Sequence, residues 1–219
     1  MDFSFPKEYE LFRRMLREFL ETEVKPLAKA LDREHRVPYE TLRKAAKLGL
    51  LGVPFPQKYG GIGGGETGYC ILMEELCQVC VATATIVGTH TGIGSMAIYL
   101  DGTEDQKQRY LVPMAQGRAI GAFGLTEAQA GSDAAAIKTT AVRDGDHYVL
   151  NGTKVFCSNG DFADIMTTMA VTDPALGAHG GITAFIVETD TPGYCIGSLE
   201  NKMGIRGSST AEVVFQDLR

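Results

Sequence analysis

Apolar positions in the first half of the chain recur every three or four residues. Leu11, Phe12, Met15, Leu16, Phe19, Leu20 and Val24 form one helical stripe with charges between them. Pro26 is expected to kink or end that helix, because it lacks the amide hydrogen a helix interior uses. A second helix is predicted from about Tyr39 to Leu48, stopped by Gly49. A third covers about Gly68 to Cys80 and a fourth about Ala84 to Tyr99. Asp101-Gly102 marks a turn, after which Thr103 and Gln106 read as a capping box for a helix ending near Met114.

The period changes after about Gly117. GAFGLT, TTAVRD, HYVLNG, KVFCSN, IMTTMAVT, GITAFIVE and EVVFQD are short and rich in β-branched and aromatic residues. Asp144-Gly145 and Asn151-Gly152 are hairpin signals, and two in succession predict an antiparallel meander. Helices first and strands second argue for a segregated α+β fold. The expected organisation is an all-α domain over residues 1–118 and an antiparallel, barrel-like β-domain over residues 119–219. The last strand, in AEVVFQDLR, has no following element to cover it, so a covering segment is expected from elsewhere.

Composition narrows the function. Hydrophobic residues make up 44% of the 219 and charged residues 22%, the profile of a globular protein. Residues 1–118 hold 15 Lys+Arg and 15 Asp+Glu; residues 119–219 hold 6 and 12, which accounts for the whole net charge of -6. An acidic chain without a basic cluster does not suit nucleic acid. No apolar run approaches the ~20 residues a membrane span needs. The five cysteines are odd in number, and Cys77-x-x-Cys80 sits in an apolar helical stretch with no nearby histidine. That pair reads as packing rather than as a redox or zinc site. MDFSFPKEYE has neither an apolar signal core nor an Arg-rich presequence. Together these predict a reducing compartment: a bacterial or archaeal cytoplasm, or a mitochondrial matrix. The histidines, His35, His90, His147 and His179, have no metal-ligand spacing, so no metal is expected. The glycine run at 60–65 lacks the GK[ST] ending of a phosphate loop.

The strongest local signal is the stretch FGLTEAQAGSD, Phe123 to Asp133. A strand runs into a turn of small residues and hydroxyls, which can bring backbone N–H groups, Thr126 and Ser132 close to a ligand. Gly131 permits close approach. An ordinary surface turn is the competing reading of the same residues.

This stretch resembles the signature of the acyl-CoA dehydrogenase family, T-E-P-x-A-G-S-D after a strand. KYGGIGG, EEL, EDQKQRYLVPMAQG, NGTKVFCSNG and KMGIRGSST are also similar to that family's motifs and occur in its order. The resemblance covers essentially the whole chain. It implies FAD as cofactor, an acyl-CoA thioester as substrate, electron transfer flavoprotein as acceptor, and a homo-oligomer. It places Phe123, Leu125 and Thr126 against the flavin ring. Gly131 and Ser132 fall where cofactor and thioester both pass. Phe156, Cys157 and Ser158 take the place of the family's Trp-Ile-Thr, keeping an aromatic ring to stack and a hydroxyl near the hydride-accepting N5. Ala128 stands where the family has proline, which frees the loop but removes no ligand group.

The implied reaction is α,β-desaturation. The family's base is a glutamate on a later helical domain, so no catalytic base is expected within these 219 residues. Glu127 reads as structural, and Glu74 and Glu75 as one solvated charge and one buried contact. His90 and Gly94 align with the helix that lines the family's acyl tunnel; the small residues around them equally suit tight helix packing. Arg206 is expected to pair with the missing segment rather than with substrate. A flavin oxidase on the same scaffold, and a non-catalytic fragment, are the alternative readings.

Overall fold

The computed structural model describes residues 4–219. The helical part begins with α1 (Lys7–Phe19), a π-helical turn (Leu20–Val24) and α2 (Lys25–Glu34), followed by α3 (Tyr39–Lys47) and α4 (Gly65–Val79). Next come α5 (Val81–Gly88), a π-turn (Thr89–Ser95) and α6 (Met96–Asp101). The series closes with α7 (Glu104–Gln106), a third π-turn (Lys107–Leu111) and α8 (Val112–Ala115). The predicted capping box is present: the Thr103 hydroxyl accepts from Gln106 N at 3.3 Å, and the Gln106 side chain accepts from Thr103 N at 2.8 Å.

Pro26 does not end its helix. The chain widens first, with Lys25 N donating to Leu20 O, five residues back. Pro26 then falls in the first turn of α2, where a missing N–H costs little. The apolar stripe therefore continues to Leu31, which is fully buried. Across the bundle Arg17 makes a bidentate ion pair with Glu75 (2.8 and 2.9 Å) and Arg13 reaches Glu74 at 2.8 Å, tying α1 to α4. Glu75 is buried and Glu74 exposed, as the sequence suggests.

The sheet holds β1 (Gly121–Gly124), β2 (Thr140–Asp144), β3 (His147–Ser158), β4 (Ile165–Val171), β5 (Ile182–Glu188), β6 (Tyr194–Leu199) and β7 (Thr210–Leu218). The order is β1-β4-β2-β3-β7-β6, with β5 on the other edge of β4. Most ladders are antiparallel. β1 runs parallel to β4, and β2 touches β4 in parallel at Thr140 and Val171. Helices precede strands as expected, but two details differ. The sequence YCIGSL, poor in strand formers, still forms β6 because it borders β7.

The second difference is that Asn151-Gly152 is not a hairpin. β3 runs straight through it and bulges against β7 between Leu150 and Gly152. Asn151 is held in the ladder by Asp217: its amide donates to Asp217 Oδ1 at 3.0 Å, and Asp217 N donates back at 2.9 Å. Gly152 has φ +152, and a Cβ there would lie 2.4 Å from Thr139 Oγ1 and 2.7 Å from Thr139 Cα. Gly152→Ala should therefore cost at least about 2 kcal/mol, read as a lower urea midpoint. An unchanged midpoint would show that the bulge relaxes freely.

Asp144-Gly145 does turn a hairpin, pairing Asp144 with His147. One apolar core fills the helices around Leu16, Leu31, Leu72 and Ile86, and a second fills the sheet around Leu150, Met166, Val213 and Phe215. A third, with Phe55, Leu111, Met114 and Ile165, closes the seam between them.

Candidate functional site

β1 ends at Gly124, whose carbonyl accepts from the Thr168 hydroxyl at 2.8 Å. Beyond it the chain leaves the sheet through Leu125 and Thr126. A tight turn closes by reciprocal Glu127 and Ala130 backbone bonds, both 3.0 Å. The underside of this turn is charged. Lys154 of β3 has no exposed side-chain area; its ammonium donates to Leu125 O at 3.1 Å and to Glu127 Oε1 at 2.7 Å. Glu127 also accepts from Lys138 N (2.6 Å), Thr139 N (3.0 Å) and Gln129 Nε2 (2.7 Å). Burial opposes charge on the Glu127 carboxylate. The hydrogen bonds from Lys154 and Thr139 overcome it and hold its pKa down at about 2. Burial likewise pushes the Lys154 ammonium below its ordinary value, against the pull of Glu127. Glu127 is thus a committed structural carboxylate.

Val155 N donates to Thr126 O at 2.9 Å, which lays the signature loop beside the second motif. Between Lys154 and Cys157 the ladder to β7 slips, and Phe156 sits in this bulge with φ 58. The left-handed backbone turns its ring outward, where it is 64% exposed. A large aromatic in a strained conformation and exposed to solvent is a feature of binding faces rather than of packing. Cys157 points the other way, into the core; burial pushes its thiol up to about 12. Its side chain is therefore withdrawn from the open face. Ser158 is half-buried beside Thr210 of β7. Thr126 is half-buried, whereas Gly131 and Ser132 are exposed at the far end of the loop, with nothing near a Cβ placed on Gly131. Phe123, Leu125, Thr126, Phe156 and Ser158 are thus drawn to one region by the pairing of β3 with the loop.

His90 and Gly94 belong to different machinery. His90 is fully buried; its Nδ1 accepts from Gly121 N at 2.9 Å, and Nε2 lies 3.2 Å from Met114 O. Donating to one backbone group and accepting from another requires the neutral ring. Burial lowers its pKa to about 4, against the opposing pull of its backbone bonds. No ring nitrogen remains for a substrate. A Cβ on Gly94 would lie 3.1 Å from Gly121 C and 3.2 Å from Ala122 N, so this glycine lets the π-turn touch β1. Both residues correct the tunnel reading in favour of close packing.

Arg206 is also partnered within the chain. Its backbone N donates to Asp32 Oδ1 at 3.0 Å, and its guanidinium donates to His35 Nε2, docking the 201–209 loop on the end of α2. Among the cysteines, Cys80 is buried and Cys77 exposed, and all five are free thiols. No His/Cys/Asp/Glu group among the described residues could hold a metal.

Lys154 is the residue that motif reading passed over. The signal was available: Leu150 and Lys154 share the inward parity of β3, and a lysine on a buried face requires a carboxylate partner. Asn159 was missed as well. It has φ 64 and no exposure, and its amide donates to Ile86 O and Gly121 O, both at 3.1 Å, locking the end of β3 to α5 and β1.

Residues 6–118 match the acyl-CoA dehydrogenase N-terminal domain and residues 122–218 its middle domain. The chain is 49% identical over 218 residues to a short-chain specific acyl-CoA dehydrogenase of Clostridium acetobutylicum, covering 100% of this chain and 57% of that protein. It superposes with TM-score 0.97 and 41% identity on a chain of a structure titled as the electron transferring flavoprotein of Acidaminococcus fermentans, covering 100% of this chain and 57% of that one. With an acyl-CoA dehydrogenase of Bacillus anthracis solved in complex with FAD, the TM-score is 0.91 at 37% identity, over 98% of this chain and 37% of that one. The chain therefore spans just over half the length of the first of these relatives. Matched along nearly all its length by two consecutive domains of one family, and carrying that family's signature on a loop held by Lys154, the chain belongs to the acyl-CoA dehydrogenases.

Proposed function

We propose that this chain is the flavin- and thioester-binding part of an FAD-dependent enzyme that desaturates an acyl-CoA between Cα and Cβ. Electrons then pass to an electron transfer flavoprotein. The helical domain of residues 1–118 and the β-domain of residues 119–219 meet at the site. The observation that carries this reading is the open face where Thr126, Phe156 and Ser158 adjoin, stripped of packing partners although the strands beneath it are buried.

The residues fit an isoalloxazine. Phe156 offers an exposed aromatic face for stacking, and Thr126 and Ser158 offer hydroxyls to heteroatoms at the ring edge. FAD, when bound, supplies the acceptor for the hydride leaving Cβ. The chain's own share is to orient the ring, to place Ser132 and its loop beside the thioester, and to exclude water on the sheet side. Because Glu127 is tied up by Lys154 and backbone amides, we assign α-proton removal to another carboxylate. In this reading that carboxylate lies in the part of the relatives' length that this chain does not span.

Adding FAD to the purified chain should give a yellow complex that survives gel filtration. Its flavin fluorescence should be quenched, and its visible bands should shift again on adding a short-chain acyl-CoA. Thr126→Val should weaken the complex about tenfold, the scale of one hydrogen bond. Flavin that elutes entirely free of protein would overturn the reading.

A further inference from the structure

The loop that the flavin reading uses is shaped from below. Leu125 O points down to the Lys154 ammonium at 3.1 Å. A trans peptide holds its C=O and the following N–H on opposite sides. Turning the Leu125 carbonyl inward therefore turns Thr126 N–H outward, and among the described residues no group accepts it. The next carbonyl, Thr126 O, is taken by Val155 N at 2.9 Å, and Glu127 N is spent on Ala130 O at 3.0 Å. Of these peptide groups, only Thr126 N–H is left to the open face, beside the Thr126 hydroxyl.

An alternative orientation is easy to picture. Flipping the Leu125–Thr126 peptide would turn the carbonyl outward and withdraw the donor. A buried ammonium opposes that flip, because it would lose an acceptor it cannot replace with water. Glu127 supplies the countercharge that lets Lys154 be buried, and accepts from Lys138 N and Thr139 N so that the loop cannot slide. The pair is thus a brace under a donor.

We propose that Lys154, balanced by Glu127, is a positioning residue that presents Thr126 N–H and its hydroxyl to the flavin ring edge. This rests on the flavin reading above and adds a residue that does not itself touch the cofactor. A donor aimed at the ring edge stabilises electron density arriving there, so the brace should affect the reduction potential as well as the affinity.

The test is a set of variants of the full 219-residue chain: unsubstituted, Lys154→Met, Glu127→Gln, and the double variant Glu127→Gln/Lys154→Met. The double variant carries no buried charge and keeps the shape of both side chains, so it should fold; circular dichroism and a cooperative urea transition establish that it has. In it, FAD affinity should fall by about ten- to a hundredfold, and the potential of the flavin that remains bound should become more negative. Amide exchange at residues 124–128, measured without flavin, should speed up relative to residues 165–171 of β4. A folded double variant with unchanged affinity, potential and loop exchange would overturn the assignment while leaving the flavin reading intact. An unsubstituted chain that binds no FAD would overturn both. Glu127→Gln, which keeps the donor to Leu125 O, should retain more FAD affinity than the double variant; the reverse order would overturn the role given to Lys154.

Discussion

Lys154→Met alone should destabilise the fold by about 3–5 kcal/mol, a far larger effect than the double variant with Glu127→Gln. The reason is asymmetric. The lysine and the glutamate are nearly or fully inaccessible, and each is tolerable only because the other is present. Removing the ammonium leaves a carboxylate out of water with amide donors but no countercharge. Removing both leaves two neutral side chains of similar shape. Urea unfolding of the four variants closes a double-mutant cycle, and strong coupling is expected. Additive effects would mean that the two groups do not depend on each other.

The same carboxylate sets part of the acid behaviour. Its native pKa of about 2 lies below the ordinary value of 4.5, so the unfolded chain binds this proton more readily. The stability it contributes is complete above about pH 4.5 and is lost as the pH falls toward 2.

His90→Asn should flatten a second, higher window. The native ring titrates at about 4 instead of 6.5, because protonation would charge a buried ring whose Nδ1 must accept from Gly121 N. The unfolded chain takes up that proton first. Stability is therefore full above about pH 6.5 and declines toward pH 4, by up to about 1.4 kcal/mol per pH unit and about 3 kcal/mol in all. Asparagine has a carbonyl that can accept from Gly121 N and does not titrate. Urea midpoints taken from pH 7 to pH 4 should fall in the parent and stay nearly level over this range in the variant. Parallel declines would show that other groups govern the range.

The pattern of these residues explains what the sequence could show. Helix positions followed from three- and four-residue spacing, and the Thr103–Gln106 cap from local chemistry alone, since both partners lie within one turn. Asp144-Gly145 and Asn151-Gly152 look alike in sequence, yet only the first turns the chain. What separates them is non-local: Asp217 captures Asn151 and Thr139 crowds Gly152. Pro26 was misjudged because a π-turn carries no residue signature of its own. The candidate site was legible as motifs. Their convergence rests on the Val155–Thr126 bond between segments about thirty residues apart, which no spacing rule supplies. His90 looked like a ligand because histidine suggests chemistry, whereas here both of its nitrogens serve main-chain groups on different elements.

The wide turn at Thr89–Ser95 carries a last consequence, for anyone who edits this chain. Deleting one residue there would let the helix rewind to regular pitch and would rotate everything after it by about 100°. Ile98 would swing out of the seam it fills, and Asp101 would turn toward Phe55 and Leu111. A one-residue loss in this segment is therefore a change of architecture, whereas a same-length substitution at its solvent side, such as Ile93, leaves the frame in place.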